Sequence, residues 1–429
     1  MKRSFVPDST LMSFFEDFTK ATIESARVRL GERVSMDVPA NTSGITLIRP
    51  GGRNCYPAVW TQDFAITLGT GFVTPEEMAD HLAFIARCQN GPRGRRLKSG
   101  AIIPPFAIPD HVLFNGKPVF YPGTYSSGSD QGGEPWGIVP PSNNHFDLIL
   151  IAHHLWKATG DPSFLRRRLD GISMIERLRR AFLVPRADAE TGLIFTDSSR
   201  RAVGFIFCDS IYMTGHLLFA SLLRWRAARQ LADLERALKN GKKAETWLES
   251  TKLIPGAVAA TFSEPARIGG WLMAATQVGR QPDVWGTIYA LYLGILSKKA
   301  ARSALAEIVK ALEEGTILYL GAVRHVPTNH DYSTATAWEK SPTEHNTYQN
   351  GAYWHTPAGW LISVLATDHP DWARRIFYDM MTHFRVEDFR KGPEFNAPWE
   401  CFGLNGRVQR NPLFLGSVVV PYGALRGMK

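Results

Sequence analysis

The chain has 429 residues, of which 44% are hydrophobic and 21% are charged, and its formal net charge is +9. This ordinary composition excludes disordered, collagen-like and fibrous proteins, and no apolar stretch reaches the length of a membrane-spanning helix. The basic residues lie in short clusters spread along the chain, as on the solvent-facing sides of helices, and not in one stripe. We therefore expect a globular protein that binds neither nucleic acid nor a membrane.

The N-terminal segment and the cysteines indicate a compartment. Asp8, Glu16 and Asp17 fall where a secretion signal needs an uninterrupted apolar core. The four cysteines lie far apart and form no C-x-x-C pair, so neither a disulfide framework nor a structural zinc is indicated. We expect a cytoplasmic protein.

Helical periodicity recurs from end to end. The first helix follows a cap signal at Ser9 and Thr10 and repeats apolar residues from Leu11 to Ile23. The other predicted helices span about residues 60–70, 76–90, 144–160, 163–183, 209–240, 243–261, 283–297, 299–315, 353–366, 369–387 and 415–427. Short connections rich in Gly, Pro or Asp join many neighbours, so successive helices are expected to form antiparallel hairpins.

Twelve helices in six pairs correspond to about 71 residues per pair. Helix pairs arranged around an axis bury their inner helices on both sides, which fits the apolar runs at residues 149–152 and 217–220. The sequence therefore predicts an all-α fold, a single-domain (α/α)6 toroid of six helical hairpins over residues 1–429. Long polar loops interrupt it at 91–143, 186–208, 262–282 and 316–352, and Asn115 and Gly116 predict a two-residue β-hairpin turn in the first of them.

A carboxylate next to an aromatic residue recurs at roughly the hairpin period, every 56–75 residues or so. The six carboxylates are Asp63, Glu134, Asp209, Asp283, Glu344 and Glu400. Aromatic faces stack on the apolar faces of sugar rings, and carboxylates accept hydrogen bonds from sugar hydroxyls. We therefore expect the loops at one end of the ring to form a carbohydrate site. The alternative is that these acidic residues only begin helices, where negative charge is favoured.

Other chemistries have weaker support. The sequence contains no phosphate-binding, dinucleotide-binding, zinc-protease or nucleophile-elbow motif. His325, His330 and His345 lack the spacing of metal ligands. We expect no metal and no cofactor.

Several segments resemble the six-hairpin glycosidase superfamily, and most closely its inverting clan of processing α-glucosidase, mannosylglycerate and glucosylglycerate hydrolases, trehalase and debranching α-1,6-glucosidases. They are YPAVWTQDFAITLG, NNHFDLILIAHHLWKATGD, QPDVWGT, YQNGAYWHTPAGW and NAPWECFG. The first is similar to a site loop that usually reads W-x-R-D, but Gln62 stands where Arg is common. NAPWECFG is similar to the late loop that carries the catalytic base.

The resemblance implies inverting hydrolysis by a protonated carboxylic acid and a carboxylate base. Glu400 is the predicted base. Asp209 is the favoured acid, because it is predicted to open a long helix beside Phe205, Phe207 and Cys208, which would desolvate it and raise its pKa. A helix N-terminus would have the opposite effect on that pKa, and Asp209 is alternatively a simple helix cap.

Two further acidic residues are weaker candidates for the acid. Asp197 is the second choice, since the clan's acid sometimes lies in a D-x-S-x-R-like loop, and Glu344 is the third. Predicted substrate-binding residues are Trp60, Asp63, Glu134, Trp136, Asn143, Asn144, Trp285, Glu344, Tyr348, Asn350 and Trp354. Tyr353 and Trp354 are expected to face opposite ways, one toward the cavity and one toward the core.

The expected function is therefore a glycoside hydrolase, exo-acting on a small α-glucoside or α-mannoside. Other enzymes of the same shape remain open, namely a sugar 2-epimerase, an unsaturated-uronyl hydrolase, a phosphorylase or a polysaccharide lyase. An epimerase would use histidines such as His325, His330, His345 or His355 as acid and base. A carbohydrate-binding protein without catalysis is the third possibility.

Overall fold

The computed structural model describes residues 4–53, 55–203 and 207–428, and helices are its main regular elements. Within these residues there are fourteen α-helices: α1 (Ser9–Ala26), α2 (Thr61–Thr67), α3 (Pro75–Arg87), α4 (Asn143–Thr159), α5 (Met174–Leu183), α6 (Leu218–Ala237), α7 (Gly241–Glu249), α8 (Ile254–Phe262), α9 (Pro265–Ile268), α10 (Val284–Tyr292), α11 (Lys298–Glu313), α12 (Ala358–Leu365), α13 (Pro370–Val386) and α14 (Gly416–Leu425).

The strands are two or three residues long and lie in the loops between helices. In the same residues they are β1 (Arg27–Val28), β2 (Leu47–Ile48), β3 (Ala58–Trp60), β4 (Arg95–Arg96), β5 (Ile102–Ile103), β6 (His111–Leu113), β7 (Pro118–Val119), β8 (Arg168–Leu169), β9 (Ile172–Ser173), β10 (Phe195–Thr196), β11 (Gly215–His216), β12 (Leu318–Tyr319), β13 (Ala322–Arg324), β14 (Tyr353–Trp354), β15 (Trp399–Cys401) and β16 (Arg410–Pro412). They pair antiparallel in small sheets, of which β3–β6–β7 and β12–β13–β14 have three strands.

Six helices pack side by side in cyclic order. Each of α2, α4, α6, α10, α12 and α14 contacts the next, and α14 returns to contact α2. The other long helices lie outside this series: α1 packs on α14, α3 on α4, α5 on α4 and α6, α7 on α6, α11 on α10, and α13 on α12. The inner helices α4, α12 and α14 bury residues around most of their circumference, as expected for helices with neighbours on both sides.

Local sequence signals explain where the helices begin and end. Helix α1 is capped by Asp8, whose side chain accepts from the Leu11 amide, and not by the predicted Ser9–Thr10 pair. Thr74 forms a capping box with Glu77 at the start of α3. Helix α4 ends at Gly160, whose positive φ of 67° suits glycine.

Two predicted helices are shorter than expected because turns interrupt them. The helix predicted over 209–240 begins only at Leu218, since Gly215 has a φ of 88° and β11 pairs with β10 ahead of it. Of the helix predicted over 163–183, only the second part is α-helical, as α5 (Met174–Leu183). Asp170 and Gly171 both have positive φ and close the β8–β9 hairpin, a turn that an Asp-Gly pair favours.

Proline explains two further differences. The segment predicted as one helix over 243–261 forms α7 and α8, and Pro255 occupies the first turn of α8. The helix predicted over 353–366 begins after Pro357, and Tyr353 and Trp354 form strand β14.

The hairpin predicted at Asn115 and Gly116 is present as β6–β7, but its loop has three residues, 114–116, because the Leu113 amide bonds to the Lys117 carbonyl.

One large cluster of buried side chains extends from Phe5 to Leu425 and takes members from every inner helix. Among the described residues, no helix is long and apolar enough to cross a membrane.

Candidate active site

A pocket of about 470 Å³ lies where the loops that precede the inner helices meet. Its lining comes from the first turns of α2 and α4 and from the segments before α6, α12 and α14. The lining residues are Tyr56, Trp60, Gln62, Asp63, Asp110, Pro122, Asn143, Phe207, Asp209, Tyr348, Glu400 and Phe414. We call this pocket the carboxylate cavity.

Four carboxylates line the carboxylate cavity: Asp63, Asp110, Asp209 and Glu400. Its described lining contains no lysine, arginine or histidine. A charged group is strongly disfavoured where it is shielded from water without an opposite charge, so such surroundings favour the protonated form of a carboxyl group.

Glu400 lies in β15, which pairs with β16 so that Asn411 comes beside it. The Tyr56 hydroxyl donates to Oε1 of Glu400 at 2.6 Å, and the Asn411 side-chain amide donates to Oε2 at 2.5 Å. Burial raises the pKa of Glu400 to about 7, although these two hydrogen bonds act in the opposite direction. Glu400 can therefore exchange a proton near neutral pH.

Asp209 lies in a turn after Phe207 and is half-buried in the cavity wall. The Gln349 amide donates to its Oδ1. Gln349 Oε1 accepts from the amide and the hydroxyl of Ser210, both at 2.7 Å, so its amide nitrogen must face Asp209. Desolvation raises the pKa of Asp209 to about 6, with Gln349 acting against the rise.

The other two carboxylates lie in different surroundings. Asp63 is in the first turn of α2, its Oδ1 is buried without a hydrogen-bond partner, and burial raises its pKa well above the usual value. Asp110 Oδ2 lies 2.9 Å from Nδ1 of His111, and its Oδ1 accepts from Asn144 at 3.3 Å. Asp63 thus offers a carboxyl oxygen without a protein partner to a ligand, whereas Asp110 is held in place by its neighbours.

Aromatic rings form two walls of the cavity. Trp60 stacks on His111 at 4.4 Å, because the β3–β6 register places these residues opposite each other. On the other side Phe207 stacks on Trp354 at 5.4 Å and meets Phe414 edge-on at 5.7 Å. Such rings supply the flat apolar surfaces on which sugar rings stack.

Amides at the starts of α2 and α4 supply further polar atoms. The Asn143 side-chain amide donates to Gln62 at 2.8 Å and to Asp147 at 3.3 Å. Asp147 is in turn paired with Arg226 of α6 at 3.4 Å. The two lining amides are therefore fixed by a buried polar network that ties three inner helices together.

The structure brings about half of the sequence-predicted site residues into the cavity. These are Trp60, Asp63, Asn143, Asp209, Tyr348 and Glu400. Three others form a layer behind them: Asn144 bonds Asp110, Trp354 supports Phe207, and Trp285 meets Phe207 edge-on at 6.3 Å. Tyr353 and Trp354 do face opposite sides of β14, since Trp354 lies behind the cavity wall and Tyr353 packs with Phe402.

Four predicted substrate-binding residues lie elsewhere. Glu134 is exposed and forms a two-pronged ion pair with Arg201. Trp136 packs against Gly123, and Glu344 is exposed. Asn350 accepts from the amide of Ala337 and donates to the carbonyl of Thr343, so it fixes a loop. These four residues do not line the carboxylate cavity, because an acidic–aromatic spacing does not reveal which way a loop turns.

Asp283 and Asp197 have local structural roles. Asp283 caps α10 by accepting from the Gly286 amide at 2.7 Å. This agrees with the alternative that the recurring acidic residues only begin helices. Asp197 caps a short 3-10 helix. Hydrogen bonds from Ser199 and Arg186 lower the pKa of Asp197 to about 2, so it is ionised when a general acid must hold a proton.

The expectation that Asp209 opens a helix is wrong, because α6 begins nine residues later at Leu218. Neither a helix dipole nor a cap role therefore acts on its pKa. Phe207 and Cys208 are buried as expected, and Phe207 lines the cavity. Phe205 lies outside the described residues.

Several residues of the site were not predicted from the sequence: Tyr56, Asp110, Pro122, Gln349, Asn411 and Phe414. Most of them meet the predicted residues through strand pairing or long loops. A signal was present for Asp110, since a hairpin that begins at His111 was predictable. No sequence signal identified Gln349 or Asn411.

The histidines considered as metal ligands or as the acid and base of an epimerase do not line the carboxylate cavity. His325 stacks on Trp285 at 3.8 Å, His345 lies 2.7 Å from Asp331, and His355 packs against His383. Within the described parts of the chain, no group of three or more His, Cys, Asp or Glu side chains is arranged to hold a metal ion.

No protein-family model matches this sequence, and no curated protein matches it significantly. Solved structures do match. A GH63 mannosylglycerate hydrolase from Thermus thermophilus, in complex with glucose, is 14% identical with a TM-score of 0.56, over 95% of this chain and 99% of that chain. A rhamnosidase from Klebsiella oxytoca with rhamnose bound is 9% identical with a TM-score of 0.57, over 99% of this chain and 65% of that one.

A GH78 rhamnosidase from Bacillus sp. GL1 is 13% identical with a TM-score of 0.54. The match covers 99% of this chain but only 35% of the rhamnosidase, so the chain spans about a third of that protein. The chain therefore shares a mostly helical fold with these glycoside hydrolases. At such low identities the likeness concerns the fold alone.

Proposed function

We propose that this protein is an inverting glycoside hydrolase that removes a terminal sugar from a small α-glucoside or α-mannoside. Asp209 is the general acid and Glu400 is the general base. The observation that carries the proposal is the pair itself: both carboxyls line one cavity whose described lining holds no cationic side chain, and desolvation holds the pKa of each near neutral pH.

The chemistry follows from the two carboxyls. Protonated Asp209 donates its proton to the glycosidic oxygen as the bond to the anomeric carbon breaks. Ionised Glu400 takes a proton from a water molecule, and the resulting oxygen nucleophile attacks the anomeric carbon from the opposite face. The product sugar therefore has the inverted configuration, and each carboxyl has exchanged its protonation state.

The remaining lining residues bind the sugar. Trp60 offers a ring face for stacking, and Asp63, Asp110 and Asn143 present side-chain oxygens to sugar hydroxyls. Gln62 replaces the arginine common in the related site loop, so this part of the cavity lacks a positive charge. That difference favours a neutral sugar at this position over an anionic one.

We propose further that the whole chain folds into a single (α/α)6 toroid. The cyclic order of α2, α4, α6, α10, α12 and α14, with partner helices outside, supports six hairpins. The single large cluster of buried residues supports one domain.

The competing enzymes receive less support from the cavity. A 2-epimerase needs histidines as acid and base, and none is among the described lining residues. A lyase or a uronyl hydrolase needs basic groups to bind a uronate, and the same lining contains no lysine or arginine. A binding protein without catalysis has no need of two desolvated carboxyls whose pKa values lie near neutral pH.

The test is an activity screen followed by product analysis. The purified chain is incubated with methyl and 4-nitrophenyl α-glucosides, α-mannosides and α-rhamnosides, with glucose disaccharides and with glycosylglycerates. Proton NMR of the first product distinguishes inversion from retention, epimerisation and elimination. Release of the inverted anomer supports the proposal, whereas retention, a double-bond product or sugar binding without any turnover rejects it.

A further inference from the structure

The base carboxylate belongs to a closed ring of hydrogen bonds with two side chains from distant parts of the chain. Tyr56 donates to Oε1 of Glu400 at 2.6 Å, and Asn411 donates to Oε2 at 2.5 Å. The Asn411 amide also donates to the Tyr56 hydroxyl oxygen at 2.9 Å. Both oxygens of Glu400 therefore already accept a hydrogen bond, and the phenol can donate to Glu400 because its own oxygen accepts from Asn411.

The backbone at both partners is held in an uncommon conformation. Tyr56 has a φ of 58° and Asn411 has a φ of 42°, in the left-handed region that non-glycine residues rarely adopt. Arg49 donates to the carbonyls of Arg53 and Cys55 and so fixes the loop that carries Tyr56. Left-handed non-glycine residues persist only where surrounding contacts maintain them, and such residues cluster at functional sites.

Asp209 has a different set of partners. Among the described residues its carboxyl accepts one side-chain hydrogen bond, from Gln349 to Oδ1. Fewer side-chain donors therefore stabilise the ionised form of Asp209 than that of Glu400. Protonation of Glu400 weakens both of its hydrogen bonds, because a neutral carboxyl group is a weaker acceptor than a carboxylate.

We propose that Tyr56 and Asn411 are positioning residues that favour the ionised form of Glu400, which is the form that a general base needs. This inference rests on the proposed function, because it concerns the general base of the same site. It is carried by the hydrogen-bond geometry of the two carboxyls.

Other titratable groups face Glu400 from the elements packed around it, and they act in both directions. Asp209, Asp63, Tyr348, Cys55, Cys401 and Tyr125 lie near it, as does the guanidinium of Arg410. Arg410 favours the ionised form of Glu400, whereas the Asp209 carboxylate disfavours it. Arg410 and Asp209 are unchanged in every variant described below. Any difference in the titration of Glu400 between variants therefore comes from the loss of a hydrogen-bond donor.

The experiment removes one donor at a time. Tyr56→Phe deletes the hydroxyl and keeps the ring. Asn411→Asp keeps a residue type that tolerates left-handed φ but replaces the donating amide with an acceptor. Tyr121→Phe is the matched control, because the Tyr121 hydroxyl donates only to the carbonyls of Ile102 and Ile138 and does not line the cavity.

The first readout is the protonation of Glu400, followed by difference infrared spectroscopy of the carboxyl band between pH 4 and 9. The band is assigned by its loss in Glu400→Gln. We expect the midpoint of Glu400 to rise by about one pH unit in Tyr56→Phe and by more in Asn411→Asp, since a hydrogen bond to a charged group is worth about one to two pH units. Tyr121→Phe is expected to leave the midpoint unchanged.

The second readout is the kinetics on a substrate found in the screen. We expect kcat to fall about tenfold or more in both variants with KM little changed, and the alkaline limb of the pH profile, set by the higher pKa of the pair, to move upward with the infrared midpoint. If the midpoint does not move in either variant, or moves equally in Tyr121→Phe, the inference is wrong. Absence of turnover by the unmodified protein rejects the proposed function instead, because the infrared readout needs no substrate.

Discussion

Two glutamates of this protein are almost equally buried but lie in opposite electrostatic environments. The side chain of Glu235 in α6 is fully buried, and Glu400 at the cavity is 2% exposed. Arg179 donates to both oxygens of Glu235 at 2.7 and 2.8 Å. Burial alone would raise the pKa of Glu235, but Arg179 and its other donors lower it below the usual value. Glu400 accepts only from neutral donors, and burial raises its pKa to about 7.

The difference teaches which buried carboxylates hold the fold and which are available for proton transfer. A buried carboxylate with a bidentate arginine stays ionised at all ordinary pH values and joins α5 to α6. A desolvated carboxylate without a hydrogen-bonded cation reduces stability when it ionises, but it can gain and lose a proton near neutral pH. Glu400 and Asp209 belong to the second kind, which is why we assign them the chemistry.

The largest expected effect is on turnover. Glu400→Gln and Asp209→Asn remove the base and the acid, and each is expected to lower kcat by about 10²- to 10⁴-fold. Steady-state kinetics at matched protein concentration measure this, with circular dichroism to show that the variants are folded. Glu235→Gln is the matched control, since it changes an equally buried glutamate and is expected to keep its turnover per folded molecule. A loss in Glu235→Gln as large as that in Glu400→Gln would break the distinction between the two sites.

The next-largest expected effect is on the free energy of unfolding, which Glu235→Gln should lower and Glu400→Gln should raise at pH 8. Glu235→Gln removes the buried bidentate partner of Arg179 and leaves it only the more exposed Glu176 at 3.3 Å, so it is expected to cost about 3 kcal/mol of unfolding free energy. Glu400 has a folded-state pKa above its unfolded value, so its favourable contribution is present at low pH and is lost as pH rises through about 7. Glu400→Gln is therefore expected to be about 1 kcal/mol more stable than the unmodified protein at pH 8.

Urea denaturation at pH 4.5 and pH 8 measures both differences. At pH 4.5 Glu400 is protonated in the folded protein, so the gain from Glu400→Gln should disappear. A gain of equal size at both pH values would show that it comes from packing and not from charge.

The third expected effect is a narrow pH optimum. Catalysis needs one proton on the Asp209–Glu400 pair, whose pKa values are raised by desolvation to about 6 and about 7. Below about pH 6 the pair holds two protons and above about pH 7 it holds none, so the profile of kcat/KM is expected to be bell-shaped. Rates between pH 4.5 and 9 check this, and a plateau that extends from pH 7 to 9 would contradict the shared proton.

The sequence predicted the helices better than it predicted the contacts of the site. The apolar runs at 149–152 and 217–220 lie in or beside α4 and α6, because a helix with neighbours on both sides is apolar around its surface. Glu400 and Asp209 were identified as candidates, and both line the cavity. The partner of Glu400 was not predictable, since Asn411 reaches it through the β15–β16 register and a left-handed backbone.

Substitution of acidic residues outside the cavity is expected to have the smallest effect on kcat/KM. These substitutions test whether activity depends on a position in the cavity or only on the sequence pattern. Glu344 lies beside aromatic residues in the sequence but is exposed, and Asp197 is an ionised cap whose pKa is lowered to about 2 by hydrogen bonds from Ser199 and Arg186. Glu344→Gln and Asp197→Asn are expected to change kcat/KM by less than about twofold, because neither charge lines the cavity. Asp197→Asn is also expected to lower unfolding free energy by about 0.5 kcal/mol through loss of the exposed ion pair with Arg186, since asparagine caps a helix as well as aspartate does. Kinetics and thermal unfolding of the two variants measure this, and a hundredfold loss of turnover in Asp197→Asn would transfer the role of acid from Asp209 to Asp197.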